Sequence, residues 1–181
     1  MEQNIKNLSK FLSYVLRHAP HEIGLTLGAG GWVETSDLIA KARTHGRQLT
    51  PELLHEIVAT NDKKRFTLSP DRTRIRAAQG HSVEIDLDLV PTMPPQLLYH
   101  GTAAKVLDKI LAEGLKPQSR RHVHLSLDRE TARKVGMRHG TPAILLVDAG
   151  RMHRDGVHFF EADNGVWLTD HVAPHYLTLK D

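Results

Sequence analysis

The stretch VPTMPPQ, from Val90 to Gln96, holds three prolines in seven residues near the middle of a 181-residue chain. Proline fixes φ and has no backbone N–H, so this stretch forms neither a helix interior nor a central strand. Periodic segments with helical or strand patterns lie on both sides of it. The sequence therefore predicts two lobes, residues 1–90 and 96–181, joined by a proline-rich boundary.

The N-terminal lobe is predicted to contain three helices followed by a hairpin. Apolar residues recur at helical spacing from Ile5 to Leu16, and Pro20 ends that helix. A second helix is expected over residues 36–45, and a third begins at Thr50–Pro51, a cap followed by proline in the first turn. FTLSPDRTRIR, residues 66–76, reads as two strands around a Ser-Pro-Asp turn. This order of elements resembles a winged helix.

The C-terminal lobe is predicted to be rich in short strands. The segments with strand patterns are LLYHGT, HVHLSL, AILLVDA, VHFF, GVWLTD and HYLTLK. Two helices interrupt them, at about residues 103–113 and 129–137, and Gly114 is placed to end the first. The predicted fold class is therefore α+β.

Composition limits the classes of function. Hydrophobic residues make up 40% and charged residues 25%, which is typical of a globular protein with a core. No 18-residue apolar run and no secretory leader are present, and cysteine is absent, so we expect a cytoplasmic protein without a membrane partner. A net charge of +3 permits a phosphate-bearing partner without requiring one.

The stretch RRHVHLS, residues 120–126, brings two histidines close to two arginines. Strand alternation predicts that His122, His124 and Ser126 share one face, while the apolar residues between them meet the core. A His-X-His pair can ligate zinc, but it needs further ligands, and Asp128 is the best local carboxylate. We expect no metal, and histidines bonded to the backbone remain an open alternative.

Other stretches are informative only in combination. In LRHAP, Arg17 and His18 fall in the last turn of a predicted helix, where the helix dipole favours cations. NDKKRF, residues 61–66, reads as a solvated charge run at a helix exit. In YHGT, the glycine would allow a ligand to approach the backbone closely.

Together, seven stretches resemble the RNA 2′-phosphotransferase family. They are LSKFLSYVLRHAP, GGWV, NDKKRF, QGHSVEID, LYHGT, GLKPQSRRHVHLS and NGVWLTD, in order across nearly the whole chain. The resemblance implies a winged-helix lobe that binds RNA, followed by an ADP-ribosyltransferase-like lobe that binds NAD. It also implies removal of an internal 2′-phosphate left by RNA splicing, as in tRNA, with NAD⁺ as co-substrate.

The resemblance also implies a set of site residues. The catalytic residues would be Arg17, His18, Arg65 and Arg120, and the NAD pocket would be lined by His100, Gly101, Thr102 and Ser126. The family places its arginine two residues before the first histidine, which selects Arg120 over Arg121, and strand alternation would put Arg120 on the face of the two histidines. The chain departs from the family at Gln118, Ala78 and Ala173, where Met, Asn and Pro are usual.

The implied reaction has two steps and yields 2′-hydroxyl RNA, nicotinamide and ADP-ribose 1″,2″-cyclic phosphate. We expect the enzyme to be a monomer. Two alternatives remain open at this point. The protein could ADP-ribosylate terminal phosphates of nucleic acids and stop after the first step. It could instead be a winged-helix regulator without catalytic activity.

Overall fold

The computed structural model describes residues 2–180, and the chain divides into two compact units, Met1–Leu89 and Val90–Asp181. The second unit therefore begins at the first residue of the proline-rich stretch. No helix within residues 2–180 is both long enough and apolar enough to cross a membrane.

The first unit contains three helices and one small sheet. Its helices are α1 (Glu2–Arg17), α2 (Thr35–Thr44) and α3 (Pro51–Ala59), and its strands are β1 (Val33–Glu34), β2 (Phe66–Leu68) and β3 (Arg74–Ala77). The strands are antiparallel in the order β1-β3-β2. The predicted helices and hairpin are confirmed, although α2 begins one residue earlier than expected. β1 was missed because a two-residue strand carries no periodic pattern.

The first unit is held together by the apolar face of α1. Leu12 and Leu16 are fully buried and belong to a core that also includes Leu54, Ile57 and Ile75. The helix ends at Arg17, three residues before Pro20. Thr50 caps α3, since its hydroxyl accepts a hydrogen bond from the Leu53 N–H at 3.2 Å. This packing holds the C-terminal end of α1 in place.

The second unit contains two three-stranded antiparallel sheets. Its strands are β4 (Leu98–Ala103), β5 (Val123–Leu125), β6 (Pro142–Val147), β7 (Phe160–Glu161), β8 (Trp167–Thr169) and β9 (Leu177–Lys180). The strand orders are β4-β6-β9 and β5-β8-β7. Reciprocal backbone hydrogen bonds of 2.9 and 2.8 Å between Tyr99 and Ser126 connect β4 with the end of β5. The helices are α4 (Leu107–Glu113), α5 (Arg129–Gly136) and α6 (Ala149–Arg154).

Several details of the second unit differ from the sequence predictions. α4 begins at Leu107, about four residues later than expected, because Ala103 still belongs to β4. α6 was not predicted, because six residues are too few to show a helical period. Its one local signal is Asp148, whose carboxylate accepts from the Arg151 N–H at 3.1 Å as an N-cap. β7 begins only at Phe160, so most of the predicted strand VHFF lies outside it.

The glycine of β4 is explained by helix packing. A methyl group at Gly101 would overlap the backbone carbonyl of Ala132 in α5, and one at Gly136 would crowd the backbone of Thr102. Glycine at this position lets α5 lie directly on β4, and the expectation that a ligand approaches the Gly101 backbone stays a prediction. Because side chains alternate along a strand, His100 and Thr102 extend from the opposite face.

Candidate active site

Arg17 and His18 lie at the C-terminal end of α1 and are fixed by a segment from much later in the chain. The Ser82 N–H donates to the Arg17 carbonyl at 3.0 Å, and the Val83 N–H approaches the same oxygen at 3.4 Å. The Ser82 hydroxyl also bonds the His18 imidazole, with 2.8 Å between Oγ and Nδ1. Ser82 therefore restrains both the backbone at Arg17 and the ring orientation of His18.

Arg65 is held by the same later segment. It directly precedes β2, and its carbonyl accepts from the Ala78 N–H at 2.9 Å. The carboxamide oxygen of Asn61 accepts from the backbone N–H groups of Lys63 and Arg65, at 3.2 and 3.4 Å. These bonds close the turn before the strand. Residues 78–83 thus make contact with Arg17, His18 and Arg65, three of the four catalytic residues that the sequence predicts.

His81 is the buried residue in the middle of that segment, and the sequence did not predict a role for it. It is only 2% exposed. Burial, together with the nearby charges of Arg17, His18 and Arg76, lowers the pKa of its imidazole to about 4. His81 is therefore neutral at pH 7 and adds no charge to a cationic neighbourhood. The motif QGHSVEID gave no sign of this, because burial depends on how residues 78–83 return to α1.

Arg120 contacts a histidine of β5 in the second unit. Its Nη1 lies 2.7 Å from Nδ1 of His124. A guanidinium group has only donors, so Nδ1 of His124 accepts and carries no proton. The carbonyl of His124 in turn lies 3.0 Å from Nδ1 of His100, which must donate and is therefore protonated at that atom.

Burial and the neighbouring charge of Arg120 keep His100 neutral. Burial is the main cause that lowers the pKa of His100, and the charge of Arg120 lowers it further, although the hydrogen bond to the His124 carbonyl opposes both. The pKa of Arg120 is itself lowered by burial and by the charge of Arg138, yet a guanidinium stays charged at neutral pH. Arg120 therefore keeps its positive charge close to His100, whose imidazole is neutral and whose Nε2 is a hydrogen-bond acceptor.

His122 has different neighbours from His124. Its Nε2 lies 3.7 Å from Oδ1 of Asp170, and its ring centroid lies 5.7 Å from that of Phe160. Burial lowers the pKa of His122, and the attraction of Asp170 only partly offsets this effect. Among residues 2–180 no three His, Asp or Glu side chains are grouped so that they could hold a metal ion.

The structure also bears on the choice between Arg120 and Arg121. β5 begins only at Val123, so the alternation used to separate the two arginines does not extend to either of them. Their neighbours differ all the same. The Arg120 guanidinium binds His124, whereas the charge of Arg121 acts on His122.

The residues predicted to line an NAD pocket lie on β4 and directly after β5. His100, Gly101 and Thr102 belong to β4, and Ser126 pairs through its backbone with Tyr99 of the same strand. The Thr102 side chain is buried, and His100 and Ser126 are partly exposed. The structure therefore groups Arg17, His18 and Arg65 within the first unit, and Arg120 with the four pocket residues within the second.

Comparison with known proteins gives one consistent result. The sequence model described as "RNA 2'-phosphotransferase, Tpt1 / KptA family" matches residues 2–171. A protein of Agrobacterium fabrum named "Probable RNA 2'-phosphotransferase" is 59% identical over 172 residues, which are 95% of this chain and 92% of the relative. Proteins with the same name from Acaryochloris marina and Flavobacterium johnsoniae are 53% and 52% identical, over 97% and 99% of this chain and 97% and 100% of their own lengths.

Proposed function

Since the chain belongs to the RNA 2′-phosphotransferase family, we propose that it removes an internal 2′-phosphate from RNA, such as a tRNA splice junction, with NAD⁺ as co-substrate. The observation that most supports this proposal is the set of hydrogen bonds from residues 78–83 to Arg17, His18 and Arg65. These bonds hold the backbone carbonyls of Arg17 and Arg65 and the imidazole of His18, so one segment restrains two distant stretches that carry candidate site residues.

The arginines suit the charge of the substrate. A 2′-phosphate monoester carries close to two negative charges at neutral pH, and arginine binds phosphate oxygens in a bidentate fork while staying charged. We assign Arg17, Arg65 and Arg120 to this phosphate. Their charges offset the repulsion between the RNA phosphate and the pyrophosphate of NAD⁺, and they stabilise the charge that spreads over phosphoryl oxygens during transfer.

The residues of β4 fit the ribose and pyrophosphate of a dinucleotide. Neutral His100 offers Nε2 as an acceptor for a ribose hydroxyl, and Thr102 contributes a buried hydroxyl. Gly101 would contribute its backbone, and only on the face of β4 that α5 does not cover. NAD⁺ supplies a ribose carbon that is readily attacked, since loss of nicotinamide discharges the pyridinium.

In the first step, an oxygen of the RNA 2′-phosphate attacks C1″ of that ribose. The bond to nicotinamide breaks, the leaving ring takes the electron pair, and the RNA becomes ADP-ribosylated at its phosphate. In the second step, the ribose 2″-hydroxyl attacks phosphorus and loses its proton. The RNA 2′-oxygen leaves and is protonated, which releases 2′-hydroxyl RNA and ADP-ribose 1″,2″-cyclic phosphate.

Within this scheme the protein mainly orients reactants and moves one proton. Orientation alone contributes about 7 kcal/mol or more in favourable intramolecular cases. We assign His18 to hold or deprotonate the ribose hydroxyl, with its ring fixed by Ser82.

We further propose that residues 1–90 form a winged-helix lobe for RNA and residues 96–181 an ADP-ribosyltransferase-like lobe for NAD⁺.

Product analysis tests the proposal. The protein is incubated with NAD⁺ and an oligonucleotide that carries one internal 2′-phosphate. Dephosphorylated RNA together with the cyclic-phosphate sugar supports the proposed reaction. A stable RNA–ADP-ribose adduct would instead indicate transfer that stops after the first step, and no turnover at all would favour a nucleic-acid-binding role.

A further inference from the structure

We infer that His124 is a positioning residue for Arg120, whose guanidinium it holds through an unprotonated ring nitrogen so that the other donors can bind phosphate. The inference rests on the proposed function, in which Arg120 binds the RNA 2′-phosphate. It gives the two histidines of HVHLS separate roles, although sequence alternation places both on one face.

Arg120 needs an anchor because its own backbone is not part of a strand. It lies three residues before β5 begins at Val123, in a turn where the Arg120 N–H donates to the Pro117 carbonyl at 3.1 Å. Gln118 in the same turn has a positive φ of 60°. A long side chain on such a turn has many rotamers, and the nearby charge of Arg138 repels it.

His124 is fixed where Arg120 is not. It is the central residue of β5 and pairs with Leu168 of β8. Val123 and Leu125, its neighbours along the strand, are 3% and 1% exposed. The carbonyl of His124 is also bonded to His100. The 2.7 Å contact between Arg120 and His124 therefore connects a side chain with many rotamers to a residue held within a strand.

The chemistry of the contact preserves the function of the arginine. A guanidinium has five N–H donors, and the contact to His124 engages Nη1. The edge formed by Nε and Nη2 retains the geometry of a bidentate phosphate contact. A carboxylate at this position would also hold Arg120, but it would cancel the positive charge that attracts the phosphate. A neutral imidazole holds the group without neutralising it.

Three substitutions separate these effects. His124→Asn places an amide oxygen close to the position of Nδ1 and keeps a neutral acceptor. His124→Leu removes the acceptor, and His124→Asp keeps an acceptor but adds a negative charge. His122→Leu is the matched control, because His122 lies on the same face and contacts Asp170 and Phe160 instead of Arg120.

The measurement is the phosphate-specific affinity of the full-length protein. Dissociation constants are determined without NAD⁺ for two oligonucleotides that differ only in the 2′-phosphate. The ratio of the constant without the phosphate to the constant with it is then compared among the variants. Thermal unfolding first shows that each variant is folded. We expect His124→Asn and His122→Leu to keep the wild-type ratio, and His124→Leu and His124→Asp to lower it about tenfold, the size of one charge-assisted hydrogen bond.

A double-mutant cycle decides whether the effect passes through Arg120. If it does, His124→Leu lowers the ratio no further in an Arg120→Ala background. Additive losses, or a His124→Leu protein that binds like the wild type while Arg120→Ala does not, would overturn the inference. A wild-type protein without any preference for the phosphorylated oligonucleotide would instead refute the proposed function, and with it the premise of the inference.

Discussion

Two adjacent arginines with the same charge have different neighbours, and that difference defines their expected roles. Arg120 donates to His124 beside the neutral His100, whereas Arg121 lies near His122. The sequence could select Arg120 only through its spacing from the first histidine. The partners could not be predicted, because they depend on how the turn before β5 folds back over the strand.

Replacing each arginine in turn tests this assignment. We expect Arg120→Ala to lower kcat/KM for phosphate removal by at least about a hundredfold, the loss typical of a group that stabilises transition-state charge. Arg121→Ala should keep most of the activity. Steady-state kinetics with a 2′-phosphorylated oligonucleotide measures both, and the reverse order of effects would show that the wrong arginine was assigned.

Ser82 offers a test of how His18 is oriented. Its hydroxyl is 2.8 Å from His18 Nδ1 and exposed enough to accommodate an extra methyl group. Loss of one hydrogen bond costs about 1 kcal/mol, so Ser82→Ala should lower kcat roughly fivefold with little change in KM. Ser82→Thr keeps the hydroxyl and should restore kcat. Equal kcat values for the wild type and the alanine variant would exclude this role.

His81 should make stability depend on pH. Its pKa is lowered to about 4 in the folded protein, so between pH 6.5 and pH 4 the unfolded chain binds a proton that the folded chain does not. Stability therefore falls as the pH falls through this window, by up to roughly 3 kcal/mol from this residue alone. In urea titrations, His81→Gln should lose less unfolding free energy between pH 7 and pH 4.5 than the wild type. Identical losses would contradict the buried, neutral state of His81.

At the scale of elements, length decided what the sequence could reveal. α1 has 16 residues with a clear helical period, and β4 and β6 have six residues each, so all three were predicted close to their observed bounds. β1 has two residues and α6 has six, which is too short for a period to emerge. These short elements form because of contacts with residues distant in the chain, and the local sequence pattern does not predict such contacts.

The packing of α5 on β4 gives a prediction about stability. A methyl group at Gly101 meets the backbone of α5, which cannot rotate away as a side chain could. Gly101→Ala should therefore destabilise the protein by about 3 kcal/mol, at the upper end for overpacking. Chemical denaturation measures the effect, with Arg133→Ala on the exposed face of α5 as a control expected to change stability by less than about 0.5 kcal/mol. If the two variants were equally stable, helix packing would not explain the glycine.

At the scale of the whole molecule, the net charge of +3 is small, and the positive charge that matters is local. In the first unit, residues 78–83 bind the stretches that carry Arg17, His18 and Arg65. In the second, β4 and β5 bring Arg120 together with His100 through His124. The sequence motifs identified these residues through family resemblance, but the hydrogen bonds that hold them come from residues whose roles the motifs did not reveal, chiefly Ser82 and His124.

The fate of the phosphorus atom tests the central claim most directly. The protein is given NAD⁺ and an RNA whose single internal 2′-phosphate is radiolabelled, and the label is followed over time. The account predicts that the label leaves the RNA only when NAD⁺ is present and appears in ADP-ribose 1″,2″-cyclic phosphate, with one nicotinamide released for each phosphate removed. Label released as inorganic phosphate without NAD⁺, or label that remains on the RNA, would contradict it.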